Sequence, residues 1–199
     1  VSVRLVRKLG INQIIGIAQR FGLDVKKLPR DLSLSLGTAS LTPLEMAETY
    51  SIFANGGYQI KSHLIDRIES SDGITLYQTV PVSVCRELCE GRSTSVDLDF
   101  DNRIRPSTSD FLKPDHTGHD APRVIDKRIH FLMNDMLKDV VNLGTAKKAK
   151  KLGRKDIAGK TGTTNDQIDA WFSGYQKNMV ASVWVGFDKP KTLGRSEYG

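Results

Sequence analysis

The residues best suited to chemistry form one short run, Gly159 to Asn165, which reads Gly-Lys-Thr-Gly-Thr-Thr-Asn. Lys160 offers a fixed positive charge, and the hydroxyls of Thr161 and Thr163 can donate hydrogen bonds to a carboxylate. Gly162 has no side chain, so a ligand strand can lie close to the backbone there. The N–H that follows this glycine can point at a developing oxyanion. The run therefore predicts a site that binds an anionic ligand and stabilises a negatively charged transition state.

A phosphate-binding P-loop is the main alternative for this run, because Gly159-Lys160-Thr161 also ends that motif. A P-loop needs a glycine at position 154, which is Arg154, and it must open a helix. The residues from Gly162 to Asn165 are poor helix formers, so we expect a strand instead. The plainest alternative is a strand that carries a surface lysine without a catalytic role.

The composition is that of an ordinary globular protein with a basic surface. The chain has 199 residues, of which 39% are hydrophobic and 26% charged, and its formal net charge is +6. This length allows one large domain or two small ones, and no apolar run reaches the length of a membrane span. The positive charge favours anionic surroundings, such as nucleic acid, lipid head groups or an acidic polymer, without choosing among them.

Helix signals divide the chain into predicted helical segments. Val1 to Gly10 has the pattern of a helix end. Ile11 to Phe21 has apolar residues at helical spacing, and Gly22 follows as a stop. Thr42-Pro43-Leu44-Glu45 has the form of a capping box with proline at the first helical position. A longer amphipathic helix starts at Asp126 and ends before Gly144. A helix-turn-helix that binds DNA is an alternative for the first two helices, and packed core helices are the plainer interpretation.

Strand signals predict an α/β protein of the α+β type, with an antiparallel sheet flanked by helices. The predicted strands or extended segments are 32–37, 58–60, 64–68, 74–77, the segment around Lys160, 171–175 and 179–187. The turn Ser71-Asp72-Gly73 predicts a hairpin. The segment 179–187 is long and apolar, which predicts a central strand.

Residues 78–122 are rich in proline, serine and aspartate, and they predict a long, loop-rich insertion. Cys85 and Cys89 lie within it. A zinc site with His116 and His119 matches no zinc spacing, so no metal and no cofactor are predicted. A local disulfide in an oxidising compartment is favoured, with a reduced pair as the alternative.

A basic segment follows the long helix. Thr145 is predicted to cap the segment 146–151, which reads Ala-Lys-Lys-Ala-Lys-Lys. No aromatic residues interleave there for base stacking, so a solvated helix face is favoured over a nucleic-acid patch.

Three separated groups of segments together resemble the transpeptidase domain of bifunctional, class A penicillin-binding proteins, of the 1A type found in Gram-negative bacteria. The resemblance covers nearly the whole chain outside the insertion. The segments that carry it are 34–37, 41–47 and 53–57; 121–125 and 144–146; and 159–175 with 183–188.

The resemblance implies an activity and the roles of four residues. The family crosslinks peptidoglycan by serine acyl transfer on D-Ala-D-Ala stem peptides, and β-lactams inhibit it covalently. Lys160 corresponds to the lysine that supports proton transfer and attracts the terminal carboxylate. Thr161 and Thr163 correspond to the hydroxyls that bind this carboxylate, and the Thr163 N–H to one oxyanion donor. Gly162 corresponds to the position of close approach, whereas Asp169 and Trp171 are interpreted as structural supports.

The sequence also departs from the family pattern. No serine here begins Ser-x-x-Lys or Ser-x-Asn. We therefore expect residues 1–199 to be a partial transpeptidase domain, incomplete at both ends, whose nucleophile lies in upstream sequence. The resemblance implies a parent with a glycosyltransferase domain and a membrane anchor, at the periplasmic face of the inner membrane. Its implied partners are stem peptides, the lipid-linked precursor and β-lactams, with no nucleic acid. A non-catalytic module that binds penicillin or peptide is the alternative.

Overall fold

A computed structural model of the chain describes residues 1–82, 121–194 and 199. It divides into two compact units, one comprising Val1–Ser62 with Pro122–Gly199 and the other His63–Ala121. Most of the predicted insertion, including Cys85, Cys89 and both histidines considered for zinc, lies outside the described residues.

The chain begins with two short helices, α1 (Ser2–Leu9) and α2 (Ile11–Arg20). They meet at Gly10, whose φ of 87° lies in the region that favours glycine. Val6 and Ile15 are buried. Beyond α2, the ring of Phe21 lies 5.7 Å from that of Phe53, centroid to centroid. The predicted helices are thus present, and these contacts agree with their interpretation as core helices.

Two longer helices begin where the capping signals place them. Helix α3 (Pro43–Ala54) has the complete capping box, in which Thr42 and Glu45 each bond to the backbone N–H of the other. Helix α4 (Lys127–Asn142) begins after Asp126, whose carboxylate accepts from the Arg128 N–H at 2.8 Å. This hydrogen bond is the largest of the effects that hold the pKa of Asp126 below its ordinary value.

The first unit contains an antiparallel sheet of three strands, in the order β3 (Ala158–Thr163), β4 (Ala170–Gln176) and β5 (Met179–Val185). The predicted α+β class is confirmed. The prediction that 179–187 forms a central strand is wrong for the described part of the chain, where β4 is central and β5 lies at an edge. Val183 on β5 is 52% exposed, so an apolar composition did not mean burial here.

Helices α3 and α4 cover one face of this sheet. Ala158, Tyr175 and Val180 are neighbours across the three strands and form a core cluster with Leu137 of α4. From α3, the cluster also includes Tyr50, Phe53 and Ala54. The Tyr175 hydroxyl donates to Asn134 Oδ1 at 3.0 Å, and burial raises the pKa of Tyr175 above its ordinary value. This packing fixes the start of β3 against α4.

The segment 32–37 does not form the predicted strand. Leu32–Leu36 is a 3₁₀ helix, and it ends at Gly37 with φ 84°. Asp31 accepts from the Ser33 N–H at 2.7 Å, and the Ser35 hydroxyl donates to the Leu32 carbonyl at 2.7 Å. Such local bonds satisfy the backbone in place of a sheet partner.

The strand predictions between residues 58 and 77 are partly right. In place of a strand at 58–60, Tyr58 makes an isolated bridge to Arg123, whose guanidinium lies 4.1 Å from the centre of the Tyr58 ring. In the second unit, β1 (Arg67–Glu69) and β2 (Thr75–Gln78) form the predicted antiparallel hairpin. The strand predicted at 64–68 is therefore displaced towards the turn.

Candidate active site

The Lys-Thr-Gly run lies on β3, as predicted, and not in a P-loop. β3 pairs with β4 along one edge, with Lys160 opposite Ser173 and Thr163 opposite Ala170. No described strand pairs with the other edge of β3. The candidate residues thus line an edge of the sheet that is open among the residues the structure describes.

The register indicates which backbone groups face this open edge. The Thr164 N–H donates to the Asp169 carbonyl at 3.1 Å, and this pair continues the register beyond Thr163 and Ala170. Because hydrogen-bonded pairs alternate along antiparallel strands, the N–H groups of Thr161 and Thr163 point away from β4. The N–H assigned to oxyanion binding by sequence therefore faces the open edge.

The polar side chains of the run have few partners within the described part of the chain. Lys160 is exposed, and its ammonium donates to the Thr161 carbonyl at 2.7 Å. It forms no ion pair within the described residues. The Thr163 hydroxyl accepts from the Gly199 N–H at 3.2 Å. A cation, two hydroxyls and outward N–H groups therefore lie on four consecutive residues, an arrangement suited to an anion.

The two glycines of the run differ in the space around them. A Cβ at Gly162 would lie 3.3 Å from the Trp171 Cβ, so packing against Trp171 is a reason for glycine there besides ligand approach. A Cβ at Gly159 would lie 2.7 Å from the Ser173 carbonyl oxygen and 2.8 Å from the Gly174 Cα. Gly159 is thus the more restrictive position, because two backbones meet there.

The turn after Thr163 is held by Asp169. The Asp169 N–H donates to the Thr164 hydroxyl at 2.8 Å, and this hydroxyl donates to Asp169 Oδ2 at 3.3 Å. Asp169 Oδ1 accepts from Trp184 Nε1 at 2.9 Å. One carboxylate therefore joins the end of β3 to β5, which agrees with its interpretation as a structural support.

Thr145 does not have the predicted capping role. The 3₁₀ helix that follows, Lys147–Leu152, has Ala146 at its N-cap and no side-chain cap bond. The Thr145 hydroxyl instead lies 2.7 Å from the hydroxyl of Thr161. Both threonines were singled out from the sequence, but no sequence pattern predicted this contact, which joins residues 16 positions apart.

The described residues show neither a metal cluster nor a membrane-spanning helix. They contain no group of three or more His, Cys, Asp or Glu placed to hold a metal ion. None of their helices is both long enough and apolar enough to span a membrane.

Comparison with known proteins identifies the family. Residues 2–196 match the model described as the penicillin-binding protein transpeptidase domain. The chain belongs to this family of transpeptidase domains.

Individual relatives agree with this membership. The chain is 43% identical to penicillin-binding protein 1A of Pseudomonas aeruginosa and 41% identical to that of Neisseria gonorrhoeae, in both cases over its whole length. It spans 26% and 21% of these relatives, which is about a quarter of their length or less.

Solved structures show the same fold. The structure of penicillin-binding protein 1A from Haemophilus influenzae matches all of this chain with a TM-score of 0.80 and 32% identity, and the match covers 30% of that protein's chain. Penicillin-binding protein A from M. tuberculosis, solved as its imipenem acyl-enzyme complex, matches with a TM-score of 0.61 and 17% identity. This match covers the whole of the present chain and 41% of the other, and at this identity it shows the fold alone.

Proposed function

We propose that this chain forms the Lys160 side of the active site of a peptidoglycan D,D-transpeptidase within a bifunctional, class A penicillin-binding protein. The observation that carries the proposal is the open edge of β3, where an exposed lysine, two threonine hydroxyls and outward N–H groups coincide in a chain of this family. The reaction is serine acyl transfer on D-Ala-D-Ala stem peptides, with β-lactams as covalent inhibitors.

Each residue of the β3 run has a role that follows from its chemistry. The Lys160 ammonium attracts the terminal carboxylate of the stem peptide and supports proton transfer. The hydroxyls of Thr161 and Thr163 donate to this carboxylate. The Thr163 N–H donates to the oxyanion of the tetrahedral intermediate, where a fixed dipole stabilises developing charge. Gly162 keeps the strand free of a side chain where the peptide lies alongside.

The nucleophile has to come from outside these 199 residues. The chain contains no Ser-x-x-Lys sequence, so its own residues bind and polarise but do not form the acyl-enzyme. We assign the serine, its base and the second oxyanion donor to another part of the parent protein. The parent's membrane anchor would place this site at the periplasmic face of the inner membrane, next to the lipid-linked precursor.

The test is acylation of the full-length protein by benzylpenicillin, measured by intact mass and by rate. The wild type should gain the mass of one penicillin. Lys160→Ala should lower the acylation rate constant by roughly 100-fold or more, because the charge acts on the transition state. Lys177→Ala, which removes an exposed lysine from the turn between β4 and β5, is the matched control and should leave the rate unchanged.

The outcomes separate the proposed function from the proposed role of Lys160. If the wild type gains no mass, the transpeptidase assignment is wrong and the non-catalytic module becomes the better description. If the wild type is acylated and Lys160→Ala reacts at a near-normal rate, Lys160 is not part of the mechanism.

A further inference from the structure

The hydroxyl of Thr145 lies 2.7 Å from the hydroxyl of Thr161, within hydrogen-bond distance. We propose that Thr145 is a positioning residue, which orients the Thr161 hydroxyl so that its proton faces the carboxylate of the ligand. The proposal rests on the proposed function, because it concerns how the same site binds its anionic ligand.

Thr145 is held firmly by the end of α4. The Gly144 N–H donates to the Asp139 carbonyl at 2.9 Å, and the Ala146 N–H donates to the Val140 carbonyl at 3.0 Å. A Cβ at Gly144 would lie 2.8 Å from the Val140 Cα, so the chain doubles back tightly at this glycine. Ala146 is only 5% exposed. Thr145 is therefore anchored on both sides by backbone bonds to the last turns of α4.

The partner of Thr145 is equally well placed. Thr161 lies in the middle of β3, where the register with β4 fixes it opposite Phe172. Leu137 of α4 packs with Ala158 at the start of β3 in the core cluster. The two hydroxyls thus belong to elements that pack on each other, and their separation is set by the fold.

The number of protons determines what this contact does. Each hydroxyl has one proton to donate and two lone pairs to accept. Either oxygen can be the donor in the contact between them. If Thr161 donates to a bound carboxylate, its proton is used, and the contact then requires Thr145 to donate to Thr161. A hydroxyl that accepts one hydrogen bond is also a stronger donor in the next. Thr145 would thereby both direct and strengthen the bond from Thr161 to the ligand.

The test compares two substitutions of Thr145 in the full-length protein. Thr145→Val keeps the shape but removes the hydroxyl, whereas Thr145→Ser keeps the hydroxyl. We expect the second-order rate constant for acylation by benzylpenicillin to fall about tenfold in Thr145→Val, because losing the bond from Thr145 weakens the hydrogen bond from Thr161 to the charged carboxylate. Thr145→Ser should restore most of the wild-type rate. Thr75→Val, an exposed threonine of the second unit, is the matched control.

A neutral ligand distinguishes positioning from a general structural effect. The methyl ester of benzylpenicillin lacks the carboxylate, so the ratio of wild-type to Thr145→Val rates should be close to one with this ester. Thr145→Val added to Thr161→Val should cause little further loss with benzylpenicillin, because both act on the same hydrogen bond.

Three results would overturn the proposal. Thr145→Val could react with benzylpenicillin as fast as the wild type, or it could lose the same factor with the acid and with the ester. The losses of the double variant could also be additive. If Thr145→Val does not fold, judged by its melting transition, Thr145→Ala replaces it in the same comparisons. A wild type that is not acylated at all refutes the proposed function itself, and this proposal with it.

Discussion

The carboxylate of Asp169 provides a test of how the turn after Thr163 is held. Asp169→Ala removes the hydrogen bond from Trp184 Nε1, at 2.9 Å, and the one from the Thr164 hydroxyl, at 3.3 Å. Each bond has a net value of about 1 kcal/mol, so we expect a loss of about 2 kcal/mol in the free energy of unfolding. For a domain of this size, such a loss lowers Tm by about 4–8 °C.

The assay is thermal unfolding of the full-length protein, followed for the transition that penicillin binding shifts. Asp188→Ala, which removes an exposed aspartate just after β5, is the matched control and should leave Tm unchanged. Asp169→Asn keeps an acceptor for Trp184 and should lose about half as much stability as Asp169→Ala. Trp184→Phe removes the donor and keeps an aromatic ring.

A double-mutant cycle tests the pairing itself. Asp169→Ala and Trp184→Phe each remove the same hydrogen bond, so their combined loss should fall short of the sum by about 1 kcal/mol. If the two losses add fully, or if Asp169→Ala has the same Tm as Asp188→Ala, the carboxylate does not hold the turn and the reasoning fails.

Two further predictions concern stability. The hydrogen bond from the Lys27 ammonium is the largest cause, and those from Thr42 come next, of the fall in the pKa of Glu45 from 4.5 to about 2. The ionised Glu45 carboxylate therefore adds to the free energy of unfolding above its unfolded pKa, and this contribution is lost as pH falls towards 2. The Tm advantage of wild type over Glu45→Gln, measured across this range, should shrink in the same way, and a constant difference would contradict it. Gly159→Ala should cost about 1–3 kcal/mol by thermal melting because its methyl group meets backbone atoms, whereas Gly16→Ala in α2, with open space around it, should not destabilise.

Local signals in the sequence predicted the elements that carry the site. The capping box at Thr42 and Glu45 and the aspartate at position 126 start α3 and α4 where the structure has them. These signals work because each involves a side chain and a backbone N–H two or three residues away. The strand at Lys160 was equally predictable, since the glycines and threonines after it disfavour a helix.

The failures have two causes: local side-chain bonds that replace a sheet partner, and distant residues that decide how an element is paired. The alternating segment Leu32–Leu36 has a strand pattern, but side-chain bonds from Asp31 and Ser35 satisfy its backbone locally. The apolar strand β5 has the composition of a central strand, yet composition does not show which of its edges is paired. The contact between Thr145 and Thr161 depends on where α4 ends relative to β3, which no local pattern encodes.

The open edge of β3 connects the fold to the proposed chemistry. An unpaired strand edge is a liability that proteins cover or block, and a lysine on it is a common means of blocking. Here Lys160 stands beside two hydroxyls, and its partner in the described structure is a carbonyl oxygen, which leaves its charge uncompensated. A peptide that adds alongside β3 would pair with the outward N–H groups, and its terminal carboxylate would meet that charge. Under the proposed function, the same features that protect the edge from other strands would select a peptide with a carboxylate at its end.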